Sequence, residues 1–165
     1  MRVLLLALAL PLASGCVRPV AAPASAATPA EGPAVMLERT VCFGTCPDYT
    51  VAAYADGRVV FDGRQFVART GRAEWRVAPS VVAGLVAEAV RIGHARYPES
   101  LSGPGVCPQE ATDNPTAMTT VQAASGRSHV VHYRGCQGFR GKAELLAFED
   151  AIDRDLGTSA YVRTR

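Results

Sequence analysis

The feature that most constrains the fold is a pair of closely spaced cysteines, Cys42 and Cys46, in the stretch VCFGTCPDY. Four residues of extended chain span roughly 13 Å, whereas the Cα atoms of a disulfide lie about 4.4–6.8 Å apart. A bond between these cysteines therefore requires a tight turn, and Gly44 supplies the backbone freedom that such a turn needs. The same pair could instead form a thiol centre or half of a metal site. The choice among these three depends on the residues that surround the pair.

Residues 1–16 read MRVLLLALALPLASGC and are typical of an export signal. Arg2 precedes an apolar run that is too short to cross a bilayer as a helix, which needs about 20 residues. Small residues then lead to Cys16, in a pattern that resembles a bacterial lipobox. We predict a signal peptide at 1–15 and a lipid on Cys16 that anchors the chain to the membrane. The alternative is an ordinary secretory signal, with Cys16 left as a free thiol or removed with the signal.

The segment at 16–33 is rich in alanine and proline and carries hardly any charge. Its prolines exclude a regular helix and favour extended, polyproline-type conformations. We predict a tether that holds the folded part clear of the lipid head groups. The lipoprotein resemblance implies a triacylated cysteine. In lipoproteins of this kind, an Asp directly after the lipidated cysteine signals retention in the inner membrane. Val17 occupies that position here, so the resemblance also implies sorting to the outer membrane, facing the periplasm.

The remaining residues, 34–165, are enough for a single domain with its own hydrophobic core. The chain has 17 Lys and Arg residues against 15 Asp and Glu residues, so it is close to neutral. Basic residues do not cluster with interleaved aromatic residues, and we therefore expect no nucleic-acid partner.

Several segments of the domain alternate with the period of two that is typical of strands. Apolar and polar residues alternate from Val35 to Val41, and DYTVAAYADGRVVFDG predicts a hairpin with a type I′ turn at Asp56-Gly57. The third strand is expected to continue through Phe66 to Arg69 with a bulge at Gly63, and a fourth strand carries Trp75.

Two segments have helical spacing instead. Pro79 and Gly93 bound the first helix, and apolar residues from Leu145 to Leu156 mark the second. Between them lie an irregular loop at 94–115 and a second hairpin around Ser125-Gly126. The order ββββαββα predicts an α+β fold, with an antiparallel sheet of about five to six strands and both helices packed on one face.

Four short segments recur together in a known family: CFGTCPDY at 42–49, DG at 56–57, TD at 112–113 and FEDAID at 148–153. In this order they resemble a bacterial family of small exported domains of unknown function, many of them lipoproteins, with a Cys-[Phe/Tyr]-Gly-x-Cys-Pro-x-Tyr signature. The resemblance covers roughly Met36 to Leu156. It implies a compartment and an architecture, and it supplies no activity, substrate or catalytic residue.

An even number of cysteines in an exported domain points first to disulfides, because the compartment is oxidising. The domain has four: Cys42, Cys46, Cys107 and Cys136. We prefer the pairs 42–46 and 107–136, because the last two cysteines both flank the open end of the second predicted hairpin. The crossed pairings stay open, and they would tie the first cysteine turn to the long loop.

The alternative function is a periplasmic thiol-redox or copper-binding protein that uses Cys42 and Cys46. Exchange-active thiols usually lie at the N-terminus of a helix, which lowers their pKa, whereas DYTVAAYA predicts a strand here. A zinc site with four cysteines normally has two short Cys-to-Cys steps, and this chain has one. We therefore predict no metal and no cofactor.

Other polar residues give weaker signals. His129 and His132 are three positions apart on a predicted strand, so they point to opposite faces and cannot share a metal. His94 follows the first helix and is expected at the surface. Three acidic residues are expected on the solvent side of the last helix: Glu149, Asp150 and Asp153.

No acid–base or nucleophile set is evident, so we expect no enzyme activity. The sequence favours a disulfide-stapled, non-catalytic binding or interaction module of the bacterial cell envelope. Its partner would be an envelope protein or a small ligand. We expect the binding surface on the long loop beside the cysteine turn, with Tyr97 and Asp113 as candidate contacts.

Overall fold

The computed structural model of the chain describes residues 32–162. The predicted signal peptide, Cys16 and the tether as far as residue 31 lie outside the described residues, as do residues 163–165. Neither helix of the described part combines the length and apolar character needed to cross a membrane.

The predicted α+β class and the two helices are confirmed. The helices are α1, Pro79–Ile92, and α2, Lys142–Leu156. The strands, in chain order, are β1 Val35–Arg39, β2 Asp48–Ala53, β3 Arg58–Gln65, β4 Gly71–Arg76, β5 Ser100–Leu101, β6 Gln109–Glu110, β7 Thr116–Ala123, β8 Gly126–Tyr133 and β9 Cys136–Gln137.

The strand count and the element order differ from the prediction. The main sheet has seven strands in the order β4-β3-β2-β1-β7-β8-β5, and β6 pairs with β9 in a second, two-stranded sheet. All neighbouring strands are antiparallel except β5, which runs parallel to β8. The extra strands are β5, β6 and β9. Each has only two residues, too few for a sequence period to indicate a strand.

Two local predictions in the first hairpin were wrong. Gly57 has a positive φ of 85° but Asp56 does not, so the connection is not a type I′ turn. The predicted bulge is present next to Gly63: the pairing jumps from Tyr49 opposite Gly63 to Asp48 opposite Gln65, which leaves Arg64 as the extra residue. The third strand, however, ends at Gln65 and does not continue to Arg69.

The core lies between one face of the main sheet and both helices. Alternate residues of β1, β2 and β3 point into it and are fully or almost fully buried: Val35, Leu37, Tyr49, Val51, Ala53, Val59 and Phe61. The helices cover them with Val82, Leu85 and Ala89 from α1 and with Phe148, Ile152 and Leu156 from α2. This arrangement agrees with the predicted placement of both helices on one face.

The helix boundaries follow the sequence signals. Pro79 occupies the first helical position of α1, where its missing N–H removes no hydrogen bond. Gly93 and Gly157 end the two helices in the left-handed conformation, with their N–H groups bonded to carbonyls of the last turn. Val90 of α1 does not join this core, because it is 58% exposed.

Candidate functional site

The cysteine motif forms a stapled corner, residues 41–47, between β1 and β2. Cys42 and Cys46 are disulfide-bonded, with their Cα atoms 5.5 Å apart. Gly44 closes the turn with a φ of 147°, and its N–H donates to the carbonyl of Cys42 at 2.9 Å. Phe43, which lies between Cys42 and Gly44, projects outward with 88% of its surface exposed.

The second predicted pair is also disulfide-bonded. Cys107 and Cys136 have Cα atoms 5.2 Å apart, and both side chains are buried. This bond ties the loop after β5 to β9, just beyond the open end of the β7–β8 hairpin. The crossed pairings are not present in the structure.

The tyrosine of the cysteine motif is locked to the last helix through Asp153. The Tyr49 hydroxyl donates to Asp153 Oδ1 at 2.6 Å, and Arg39 Nε donates to Asp153 Oδ2 at 2.8 Å. The Thr158 hydroxyl donates to the same carboxylate at 2.8 Å. Asp153 therefore joins β1, β2 and the end of α2, and the prediction that it faces solvent was wrong.

Burial and ion pairing set the protonation of this cluster. Burial, followed by the negative charge of Asp153, raises the pKa of the Tyr49 phenol, which therefore stays protonated. Burial alone would lower the pKa of Arg39, but the neighbouring Asp153, Tyr49 and Glu149 outweigh it and raise the pKa instead. The cluster is a fixed ion pair with a neutral phenol.

Glu149 was predicted on the solvent side of α2, and it is instead completely buried. Its Oε1 lies 2.6 Å from His132 Nδ1, and its Oε2 accepts from Arg134 Nη1 at 2.7 Å. The reason is helical spacing: Glu149 is four residues after Leu145 and three before Ile152, so it falls within the apolar stripe. The exposed member of the acidic set is Asp150, which pairs with Arg39 at 3.1 Å.

His132 has one ring nitrogen fixed and one without a partner. Within residues 32–162, His132 Nε2 is buried and makes no hydrogen bond. The ring packs edge-on against Phe139, with the two ring centres 5.3 Å apart. His129 lies on the opposite face of the sheet, where its Nδ1 is 2.9 Å from the Thr120 hydroxyl, so the two histidines are separated as predicted.

His94 is buried, so its expected position at the surface was wrong. After Gly93 the chain turns through a short 3-10 helix, His94–Arg96, which folds the imidazole back under the sheet. Its ring nitrogens lie 2.8 Å from the Ser128 hydroxyl and 2.7 Å from the Thr119 hydroxyl. Burial, helped by the nearby His129, lowers the pKa of His94 to about 4.

Two surface cavities lie on either side of α2. The smaller, of about 380 Å³, adjoins the stapled corner. It is lined by Arg39, Cys46, Pro47, Tyr49, Pro115, Thr116, Arg134, Asp153 and Val162. The larger, of about 700 Å³, lies where α1 ends and α2 begins.

The structure separates the two residues predicted for a binding loop. Tyr97 lines the larger cavity, and its hydroxyl donates to the carbonyl of Gly141 at 2.7 Å. Asp113 lies outside both cavities, exposed in a turn with a positive φ of 67°. Its carboxylate accepts from the Thr112 hydroxyl at 3.0 Å, which is the local turn-forming role of such residues.

Sequence patterns missed several residues of these sites. Arg39 looked like one polar position of an alternating strand, and Phe139 and Arg140 lie in a segment without periodicity. The helical spacing of Glu149 is the signal that could have found its partners. Among the described residues, no group of three His, Cys, Asp or Glu side chains is placed to hold a metal ion.

Two of the segments that carry the family resemblance meet in space. The Tyr49 hydroxyl of CFGTCPDY donates to Asp153 of FEDAID, and Glu149 and Asp150 of FEDAID form adjoining ion pairs with Arg134 and Arg39. A comparison with protein families matches residues 33–155 to a domain of unknown function, DUF6438. None of the curated proteins matches the chain. The match covers most of the chain, and the protein therefore belongs to this family of domains of unknown function.

Proposed function

We propose that the protein is a non-catalytic binding module of the bacterial cell envelope, anchored by a lipid on Cys16 and facing the periplasm from the outer membrane. The partner that docks on the stapled corner is another envelope protein. The long tether gives the domain the reach to meet it.

The observation that carries this proposal is the exposed Phe43 on its disulfide-closed turn. An aromatic side chain contributes much to binding when it enters a pocket on a partner, and fewer conformations are lost when its backbone is already fixed. The disulfide between Cys42 and Cys46 fixes that backbone. Exposing a phenylalanine on such a turn adds nothing to the core of the domain itself.

The two disulfides support the envelope location. Such bonds form and persist in oxidising compartments and are rare in the bacterial cytosol. The alternative function as a thiol or copper protein gains no support from the geometry. Pro47 and β2 follow Cys46, in place of the helix that would lower the pKa of a thiol.

The contact between His94 and Ser128 has the form of a base beside a hydroxyl nucleophile. Its electrostatics favour a structural role, because an efficient general base has a pKa near the working pH. The pKa of His94 is about 4, and its second nitrogen contacts Thr119 rather than an orienting carboxylate. We assign this cluster to stabilisation of the core.

Intact-mass analysis of the protein purified from membranes tests the location and the anchor. We expect a triacylated chain that begins at Cys16, with no cysteine open to alkylation before reduction. A soluble chain without lipid and with four alkylatable cysteines would contradict the proposal. Release of Cys42 and Cys46 by mild reductant, with stoichiometric Cu(I) binding lost in Cys42→Ser, would favour the thiol or copper protein.

Site-specific photocrosslinking in cells tests the docking role of the corner. A photoreactive phenylalanine at position 43 should yield one discrete adduct with an envelope protein. The same probe in place of Val90, which is also exposed, serves as the matched control and should not yield that adduct. Equal adducts from both positions, or none from position 43, would remove the docking role.

A further inference from the structure

The larger cavity has walls from three separate parts of the chain. The end of α1, the stretch from the 3-10 helix to β5, and the segment leading into α2 surround a volume of about 700 Å³. Small-molecule sites usually measure about 300–1,000 Å³. The walls are formed by Arg91, Ile92, Gly93, Arg96, Tyr97, Pro98, Leu101, Phe139, Arg140, Gly141 and Glu144.

The inner wall of the cavity is apolar and held in place. Tyr97 and Phe139 meet edge to face, with ring centres 6.5 Å apart and ring planes 85° to each other. The hydrogen bond from the Tyr97 hydroxyl to Gly141 fixes the first ring, and His132 packs behind the second. Leu101 is buried beside them. A ligand with an apolar body therefore meets a preformed surface.

The rim of the cavity carries positive charge that the protein leaves unpaired. The guanidinium groups of Arg96 and Arg140 form no hydrogen bond or ion pair with any of the described residues. The third arginine, Arg91, is already neutralised by Glu88, whose two carboxylate oxygens accept from it at 2.5 and 2.7 Å. The guanidinium of Arg96 lies against Gly93, where a Cβ would collide with it, so glycine leaves room for this arginine.

The charge count selects the ligand class. Two unpaired arginines face one acidic residue of the wall, Glu144, which leaves a net charge of about one positive unit. A guanidinium matches the planar geometry of a carboxylate and can bind it through two hydrogen bonds. A single carboxylate balances this charge, whereas a phosphate dianion would exceed it and be repelled by Glu144.

We propose that this cavity binds a small carboxylic acid with an apolar or aromatic body, its carboxylate on Arg96 and Arg140 and its body against Tyr97 and Phe139. This site lies apart from the stapled corner, and neither the lipid anchor nor the docking of an envelope protein enters the argument.

Ligand-observed NMR titration of the purified full-length protein would test the site. The probe is 3-phenylpropionate, with 3-phenylpropionamide as the uncharged control and phenyl phosphate as the dianion. We expect saturable binding of the carboxylate, with the amide and the phosphate each at least about fivefold weaker. Equal binding of acid and amide, tighter binding of the phosphate, or no saturable binding of the acid would overturn the proposal.

Matched arginine variants locate the site. Arg96→Gln and Arg140→Gln should each weaken binding of 3-phenylpropionate about fivefold or more, with unchanged thermal unfolding. Arg127→Gln is the control, because Arg127 is exposed and lies outside this cavity. An equal loss in the control, or unchanged affinity in both cavity variants, would contradict the assignment.

Discussion

The two ends of α2 differ in how their charged residues are paired. In its C-terminal half, Asp153 and Glu149 form ion pairs with Arg39 and Arg134, and Glu149 also contacts His132 Nδ1. These contacts are largely buried. Near its N-terminus the helix borders an open cavity in which two of the three arginines, Arg96 and Arg140, have no acidic partner among the described residues. Tyr49, Glu149 and Asp153 at the first end belong to the segments that carry the family resemblance, and the cavity residues at the second end do not.

The difference shows that charged residues in a short sequence motif can serve to hold the fold together. A buried ion pair stabilises the folded state only when each charge has well-placed partners. Removing one partner leaves the other charge buried without compensation, which costs free energy. At the C-terminal end this condition is met by contacts between strands and helix. At the N-terminal end the charges stay solvated and available to a ligand.

The largest effect is expected at Glu149. Its replacement by alanine leaves His132 and Arg134 without their carboxylate, so Glu149→Ala should lower the free energy of unfolding by about 3–5 kcal/mol. Urea unfolding followed by circular dichroism measures the change. Asp155→Asn is the control, since Asp155 is exposed and pairs within residues 32–162 with its neighbour Arg154 alone. It should change stability by less than about 0.5 kcal/mol. Similar losses of unfolding free energy in both variants would contradict the expected difference between buried and exposed ion pairs.

The two disulfides should differ in their contribution. The chain-entropy model assigns about 3.5 kcal/mol to the bond between Cys107 and Cys136, which are 29 residues apart, and about 2 kcal/mol to the four-residue staple. Paired serine variants of each bond, compared by urea unfolding, measure the two losses. A greater loss in the free energy of unfolding from replacing Cys42 and Cys46 than from replacing Cys107 and Cys136 would contradict this order.

A dependence on pH follows from His94. Because its pKa falls from 6.5 in the unfolded chain to about 4 in the folded protein, the unfolded state binds more protons between these values. His94 should therefore contribute little pH dependence to the free energy of unfolding above about pH 6.5. As the pH falls from 6.5 to 4, preferential protonation of the unfolded state should lower the free energy of unfolding by about 2–3 kcal/mol. In His94→Gln this part of the slope should disappear. An unchanged slope in the variant would assign the pH dependence to other groups.

A smaller effect is expected at Tyr49. Tyr49→Phe keeps the ring in the core and removes the two hydrogen bonds of the hydroxyl, one donated to Asp153 and one accepted from Arg39. The Asp153 carboxylate still accepts from Arg39 and Thr158. The expected loss is about 1–2 kcal/mol in urea unfolding. A loss as large as that of Glu149→Ala would show that the hydroxyl organises the whole cluster.

Local sequence signals predicted the elements that have a clear period or a clear boundary. Pro79 and Gly93 bounded α1, and the alternation from Val35 onward placed β1. The disulfide pairs also matched the preferred choice, because both depend on short-range or hairpin geometry. The two-residue strands were missed, since β5 and β9 form only through partners distant in the chain.

The sites were harder to predict than the elements. Glu149 and Asp153 looked like an ordinary charged helix face. The carboxylate of Asp153 is held by Arg39, more than a hundred residues away in sequence, and that of Glu149 by His132 and Arg134. His94 is buried because β7 and β8 offer hydroxyl partners for both ring nitrogens. Such contacts are set by tertiary packing and leave no local period in the sequence.

The contrast between the two ends of α2 is tested most directly by one substitution made at each end. Arg39→Met and Arg96→Met remove the same charge and keep an apolar side chain of similar length. We predict that Arg39→Met lowers the free energy of unfolding by about 2–3 kcal/mol, because it leaves the carboxylate of Asp153 without its cation. Arg96→Met should change it by less than about 0.5 kcal/mol. Equal effects, or a larger loss at Arg96, would contradict the account.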